Sequence, residues 1–235
     1  MKRIVTVLFF GLSLLLSGAG FSYSADFQKG LEAYQKGDYA TALREWSELA
    51  EQGHANAQVY LGDMYDKGLG VLEDDNEAIK WYRKAAEQGD ASAQFNLGVM
   101  YDKGEGVPQD YKQAVKWYRK AAERGNPKTP FYIGVMFYAG YSVPQDYKEA
   151  IKYFRKAAER EDTDAQYNLG VMYELGQGVL QNNIYAHMWY DIAASNSHTR
   201  AAKNRGKTAR YMTASDISKA QELARECVAK NYKGC

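Results

Sequence analysis

Residues 91–125 read ASAQFNLGVMYDKGEGVPQDYKQAVKWYRKAAERG, and the same wording returns on both sides of them. Upstream, 55–89 read ANAQVYLGDMYDKGLGVLEDDNEAIKWYRKAAEQG; downstream, NLGVMYELGQGV recurs at 168–179. Ala55, Ala91, Pro127, Thr163 and Thr199 stand at one step of 36 residues, as do Gly62, Gly98, Gly134, Gly170 and Gly206. Tyr65, Tyr101, Phe137 and Tyr173 keep that step, and so do Trp81, Trp117, Tyr153 and Trp189. A period of this size marks a stacked array of small units, none of which can bury its apolar face alone.

Each unit reads as two helices. Ala93, Leu97, Gly98 and Tyr101 share one face at helical spacing, which predicts a first helix of about 12 residues. Asp110 opens a second helix, with Gln113 three residues on. Asp74/Glu77 and Asp146/Glu149 repeat this arrangement of a reciprocal capping box. Ala114, Trp117, Tyr118, Ala121 and Ala122 form the buried stripe of the second helix, and Gly53, Gly89 and Gly125 supply the left-handed residue that ends three such helices. Gly104 and Gly106 could suggest a phosphate loop. They lie between two helices, however, whereas phosphate loops of known mechanism follow a strand. Gly68, Gly104, Gly140 and Gly176 are therefore turn residues, and Gly98 marks a close approach of two helices.

The chain of 235 residues carries a formal charge of +1. Residues 1–24 read as a secretory signal peptide: Met1-Lys2-Arg3, an apolar run from Ile4 to Leu16, and Ser22 and Ser24 at −3 and −1 before Ala25. The run is too short for a membrane span. The remaining chain is near neutral, which gives no electrostatic footprint for nucleic acid. Its charge is uneven, with nine Lys/Arg against three Asp/Glu in 199–235. Arg200, Lys203, Lys207 and Arg210 recur at three and four residues, a basic stripe that is either a solvated outer face or a contact for an anionic membrane surface or acidic partner.

The motif A-x-A-Q-x-x-L-G-x-x-Y-x-x-G-x-G-V followed by D-x-x-x-A-x-x-W-Y-x-x-A-A-x-x-G resembles the Sel-1-like repeat, a branch of the tetratricopeptide superfamily. The resemblance covers roughly 30–235. It implies an all-α fold, a right-handed α-solenoid of stacked antiparallel helix pairs, with a tetratricopeptide-like pair at 25–54, repeats at 55–90, 91–126, 127–162 and 163–198, and capping helices at 199–235. The third unit departs from the pattern: Pro130 replaces the repeat's Gln, Ser142 replaces the equivalent of Gly106, and Glu161 replaces the terminal glycine. The fourth unit lacks the acidic capping box. Cys227 and Cys235 have the spacing of bridged cysteines in cysteine-rich relatives, and in an exported chain a disulfide is favoured over free thiols.

The resemblance also implies a concave groove that receives a protein or peptide. Carried over unit by unit, its lining is Val59, Phe95, Phe131 and Tyr167 in one row, then Asp63, Val99, Val135 and Val171, then Asp66, Asp102, Tyr138 and Glu174. This predicts an apolar, aromatic strip with an acidic edge; the alternative is that Phe95 and Phe131 complete the packing between helices. Nothing points to a cofactor or a metal, because His54, His187 and His198 form no helical pair. Some cysteine-rich relatives imply a hydrolase of β-lactam or cell-wall substrates, yet G-x-S-x-G, S-x-x-K and K-T-G are all missing. The expectation is a monomeric, non-enzymatic adaptor or regulator of the bacterial envelope, periplasmic or secreted, with no nucleic-acid partner.

Overall fold

The computed structural model describes residues 25–235; the signal-peptide expectation lies outside that span. The described residues form five helix pairs, two closing helices and no strand. They are α1 (Phe27–Gln35) and α2 (Tyr39–Glu51), α3 (Ala55–Asp66) and α4 (Asp75–Glu87), α5 (Ala91–Lys103) and α6 (Tyr111–Glu123), α7 (Thr129–Ala139) and α8 (Tyr147–Ala158), α9 (Thr163–Leu175) and α10 (Asn183–Ser195), then α11 (Thr199–Thr208) and α12 (Ala214–Ala229). Through α11, each helix packs on its chain neighbours, so the pairs stack into an α-solenoid.

The conserved spacing of glycine and aromatic ring sets how closely the helices of a pair approach. A Cβ placed on Gly62, Gly98, Gly134 or Gly170 would lie 2.7, 2.5, 2.7 or 2.6 Å from Cδ1 of Tyr82, Tyr118, Phe154 or Tyr190. All four rings are almost fully buried. Only glycine lets the second helix lay its ring flat on the backbone of the first.

The caps differ from the expected reciprocal box. Asp74, Asp110 and Asp146 each accept two N–H groups of their helix on Oδ1, but the return bond from Glu77, Gln113 or Glu149 is not made. The reason is that the cap's own N–H already donates to the preceding helix, to the carbonyls of Tyr65, Tyr101 and Phe137 at 2.9–3.0 Å. Glu77 and Glu149 turn instead to Lys80 and Lys152. Asn182 caps α10 in the same way as the aspartates. Within the described residues, a reciprocal box forms at Thr213 and Asp216.

Backbone geometry persists where the sequence departs from the pattern. Gly106 and Gly178 take φ of 64° and 73°, and Ser142 takes 57° at the same turn; Glu161, in place of a terminal glycine, takes 63°. Gln58 and Gln94 are buried and donate to the carbonyls of Ala50 and Ala86, tying each repeat to the last turn of the one before. Pro130 cannot make this bond. There, buried Asn126 accepts from the Lys128 N–H and the Thr129 hydroxyl, and Arg160 donates to its carbonyl.

At the C-terminus, α11 keeps the repeat register and packs on α10 and α9. The final helix breaks it: α12 lies on α10 instead of pairing with α11, burying Ala224 and Cys227 in the core of the last repeat. Cys227 and Cys235 are bonded, with Cα atoms 5.7 Å apart, which pins the terminal turn to the end of α12 rather than bridging one helix to the next. No helix among the described residues is long and apolar enough to cross a membrane.

Candidate interaction groove

The first helices of the repeats carry the twelve candidate groove residues, and their surroundings divide them. Val59 and Phe95 are buried, at 9 % and 7 % exposure. The Phe95 ring lies 5.7 Å from Tyr118 and 5.1 Å from Tyr132, so it fills the joint between two repeats. Phe131 is half-buried with its ring 5.9 Å from Phe154. Val99, Val135 and Val171 pack partly buried against the cores. Val59 and Phe95 are thus taken up in packing between helices, while Phe131, Val99, Val135 and Val171 keep part of their surface exposed.

The acidic edge is more ordered than sequence alone suggests. Tyr82 donates its hydroxyl to Asp63 at 2.5 Å, Tyr118 to Asp102 at 3.4 Å and Tyr190 to Glu174 at 2.5 Å. Burial, reinforced by the carboxylates, pushes all three hydroxyls far above the ordinary tyrosine range, so they remain donors. The third repeat drops both halves of the pair together. Phe154 has no hydroxyl, and Tyr138 stands where a carboxylate would be, 5.5 Å from the Tyr147 ring.

The candidate face is covered at the fourth repeat and open over the first two. Helix α11 lies over the fourth repeat: His198 stacks on Tyr167 at 4.6 Å, Asn204 donates to the hydroxyls of Tyr167 and Tyr190, and Thr208 donates to Glu174. Both Glu174 oxygens are thereby engaged within the fold. Over the first two repeats a cleft of about 620 Å³ remains, which brings Val59, Asp63, Asp66 and Phe95 together. Asn56, Tyr60, Ser92, Asn96 and Lys128 also line it, with Phe27 from α1. These were missed in the sequence because their side-chain types change from repeat to repeat. Asn96 donates to Asp63 at 3.2 Å and Lys67 lies 3.7 Å from its other oxygen. Burial, and then the charge of Asp63, raise the carboxyl of Asp66 above the ordinary aspartate range.

Arg200, Lys203, Lys207 and Arg210 are all exposed and form no ion pair, while Arg205 between them binds Asp191. Arg210 sits in a 3₁₀ turn, Ala209–Tyr211, so the helical stripe itself ends at Lys207. His187 is buried, and burial lowers its pKa, keeping the ring neutral. Among the described residues no group of three or more His, Cys, Asp or Glu side chains is placed to hold a metal ion.

Comparison with known proteins agrees with this architecture. The Sel1 repeat model matches residues 55–90, 91–126, 131–162 and 163–198, the third match beginning just after Pro130. A Sel1 repeat protein from Oxalobacter formigenes is 37 % identical over 88 % of this chain and 85 % of its own, with a TM-score of 0.73. A protective antigen present in uropathogenic Escherichia coli strains, described as displaying an SLR fold, is 33 % identical over 88 % of this chain, with a TM-score of 0.74; this chain covers 45 % of it. An exopolysaccharide production negative regulator of Rhizobium leguminosarum bv. viciae is 39 % identical over 56 residues, which are 24 % of this chain and 21 % of that protein. The chain thus spans about a fifth of that regulator and under half of the antigen. With four Sel1 repeats matched over more than half of its length, the chain belongs to the Sel1 repeat family, whose repeats are protein-interaction modules.

Proposed function

We propose that this protein is a non-enzymatic adaptor or regulator of the bacterial envelope that holds a segment of a partner protein in the cleft over its first two repeats. The carrying observation is the division of the groove: its fourth repeat is filled by α11, while a cleft of about 620 Å³ stays open at the other end. That cleft combines aromatic walls with side-chain amides, the mixture that grips an extended backbone without building a reaction centre. The Cys227–Cys235 bond supports an oxidising compartment outside the cytoplasm. The relative named as a negative regulator of exopolysaccharide production favours a regulatory role, on the strength of one short shared stretch.

The test is site-specific photo-crosslinking in cells. A crosslinker at Ser92, in the cleft, should trap one defined partner, and one at Arg119, exposed on α6, should not. Equal labelling from both positions, or none from Ser92, would reject the groove. Steady turnover of a chromogenic β-lactam by the purified protein would reject the non-enzymatic part.

A further inference from the structure

Among the described residues, the buried and half-buried carboxylates are answered by the protein's own donors, apart from Asp66 and Asp75. Buried Glu45 receives Lys29, Arg44 and the Asp26 N–H. Glu174 receives Tyr190 and Thr208, and Asp63 receives Tyr82 and Asn96. Asp66 stands at the same repeat position as Glu174 and is half-buried on the cleft wall, yet its carboxylate accepts no hydrogen bond and forms no ion pair, and the neighbouring Lys67 acts on it only through its charge. The lysine that could reach it from the next repeat, Lys103, is turned to Glu105 at 3.2 Å. In the fourth repeat the corresponding carboxylate is completed by a helix laid over it. In the first, that covering is missing and open volume takes its place.

We infer that the cleft recognises a cationic side chain of the bound protein segment, with Asp66 as the acidic receptor and the Tyr60 ring as a wall. This rests on the groove reading above and adds the chemistry of what is read there. Three features besides the carboxylate favour it. The cavity is large enough for an arginine or lysine with its flanking backbone. Aromatic faces line it, and such faces attract cations: the cleft's own Lys128 already lies 5.9 Å from the centre of the Phe95 ring. Asn56 and Ser92 have no partners within the fold and are free to hold the backbone on either side of the cation. The raised pKa of Asp66 agrees, since a half-buried carboxylate beside a like charge is relieved by an incoming cation.

Two blocked pentapeptides serve as probes, identical except for arginine or its neutral isostere citrulline at the centre of a glycine chain. Binding to the full protein is followed by NMR shifts of the amides at 56–66 and 90–96. The arginine peptide is expected to bind at least tenfold tighter than the citrulline peptide, with the advantage shrinking as salt rises. Asp66→Asn should erase the difference while leaving the melting temperature equal or higher, because no internal bond is lost. Glu87→Gln, the same charge change at an exposed site on α4, should leave the difference intact. Equal binding of the two peptides overturns the inference, and so does an advantage that survives Asp66→Asn. A third outcome also overturns it: self-association that Lys203→Glu with Lys207→Glu abolishes, which would make a second copy's basic stripe the occupant. If Ser92 crosslinks a partner although the peptides bind alike, the groove reading stands and only the cation falls.

Discussion

Gly98→Ala and Gly206→Ala make the same chemical change at the same repeat position, and the structure gives them opposite signs. At Gly98 the added Cβ would sit 2.5 Å from Cδ1 and Cε1 of Tyr118, a ring with no exposure to solvent. Carbon atoms in contact prefer roughly 3.5–4.0 Å, so the ring or the helix must give by about 1 Å. Overpacking of this kind costs up to about 3 kcal/mol. Alanine offsets about 1 kcal/mol of that through its helix propensity. The net loss is about 2 kcal/mol, or about 4–8 °C in melting temperature for a chain of this length. At Gly206 nothing lies within 4 Å of the new Cβ. Only the propensity remains, and α11 should gain about 0.5–1 kcal/mol. Urea denaturation followed by circular dichroism measures both, with hydrogen exchange of α5 and α6 locating the first effect. Adding Tyr118→Leu to Gly98→Ala should recover part of the loss that the clash itself causes. A Gly98→Ala protein as stable as wild type, or a Gly206→Ala protein destabilised equally, would show that ring-on-glycine packing does not set the helix spacing.

Ser142→Gly should stabilise by about 0.5–1 kcal/mol in the same denaturation assay, since a left-handed backbone strains a serine and suits glycine. Gly106→Ser should cost more than that gain, because a Cβ there meets the Asp75 carbonyl oxygen at 2.6 Å. Phe95→Ala should lower stability by about 3 kcal/mol, the cost of emptying a packed ring site, so a fall in partner capture by this variant must be corrected for unfolding. Glu45 predicts an acid-sensitive N-terminal pair. The Lys29 ammonium, helped by Arg44 and the Asp26 N–H, holds its carboxyl at about 2, well below the ordinary value of 4.5. The unfolded chain therefore binds this proton first, so the stabilisation is full above pH 4.5 and is lost as pH falls toward 2, by at most about 3 kcal/mol. Fluorescence of the neighbouring buried Trp46 should report the acid transition, and Glu45→Gln should weaken the pH dependence over that window.

The repeat itself was legible without coordinates. Gly98, Leu97 and Tyr118 specify a helix pair through spacing alone, because helix periodicity and the absence of a glycine side chain are local properties. Likewise the turn glycines announce a left-handed backbone, and the backbone demand proved strong enough to impose it on Ser142 and Glu161 as well. The caps were legible only halfway. Asp110 reads as a helix start from its type and position, but whether Gln113 closes a box depends on where the Asp110 N–H goes, and Tyr101 takes it from nine residues upstream. The groove was the least legible part. Phe95 and Tyr167 look alike at their 36-residue step, yet one is packed between a ring of its own repeat and a ring of the next and the other is covered by α11, which is a matter of what lies across from them in space. Asp66 and Glu174 also match in sequence; only tertiary packing leaves the first without a donor and gives the second two. Sequence determined the helices and their stacking because those follow from local period and shape. Which surface stays open was decided by the ends of the array, where α11 covers the fourth repeat and the cleft beside α1 has no covering helix.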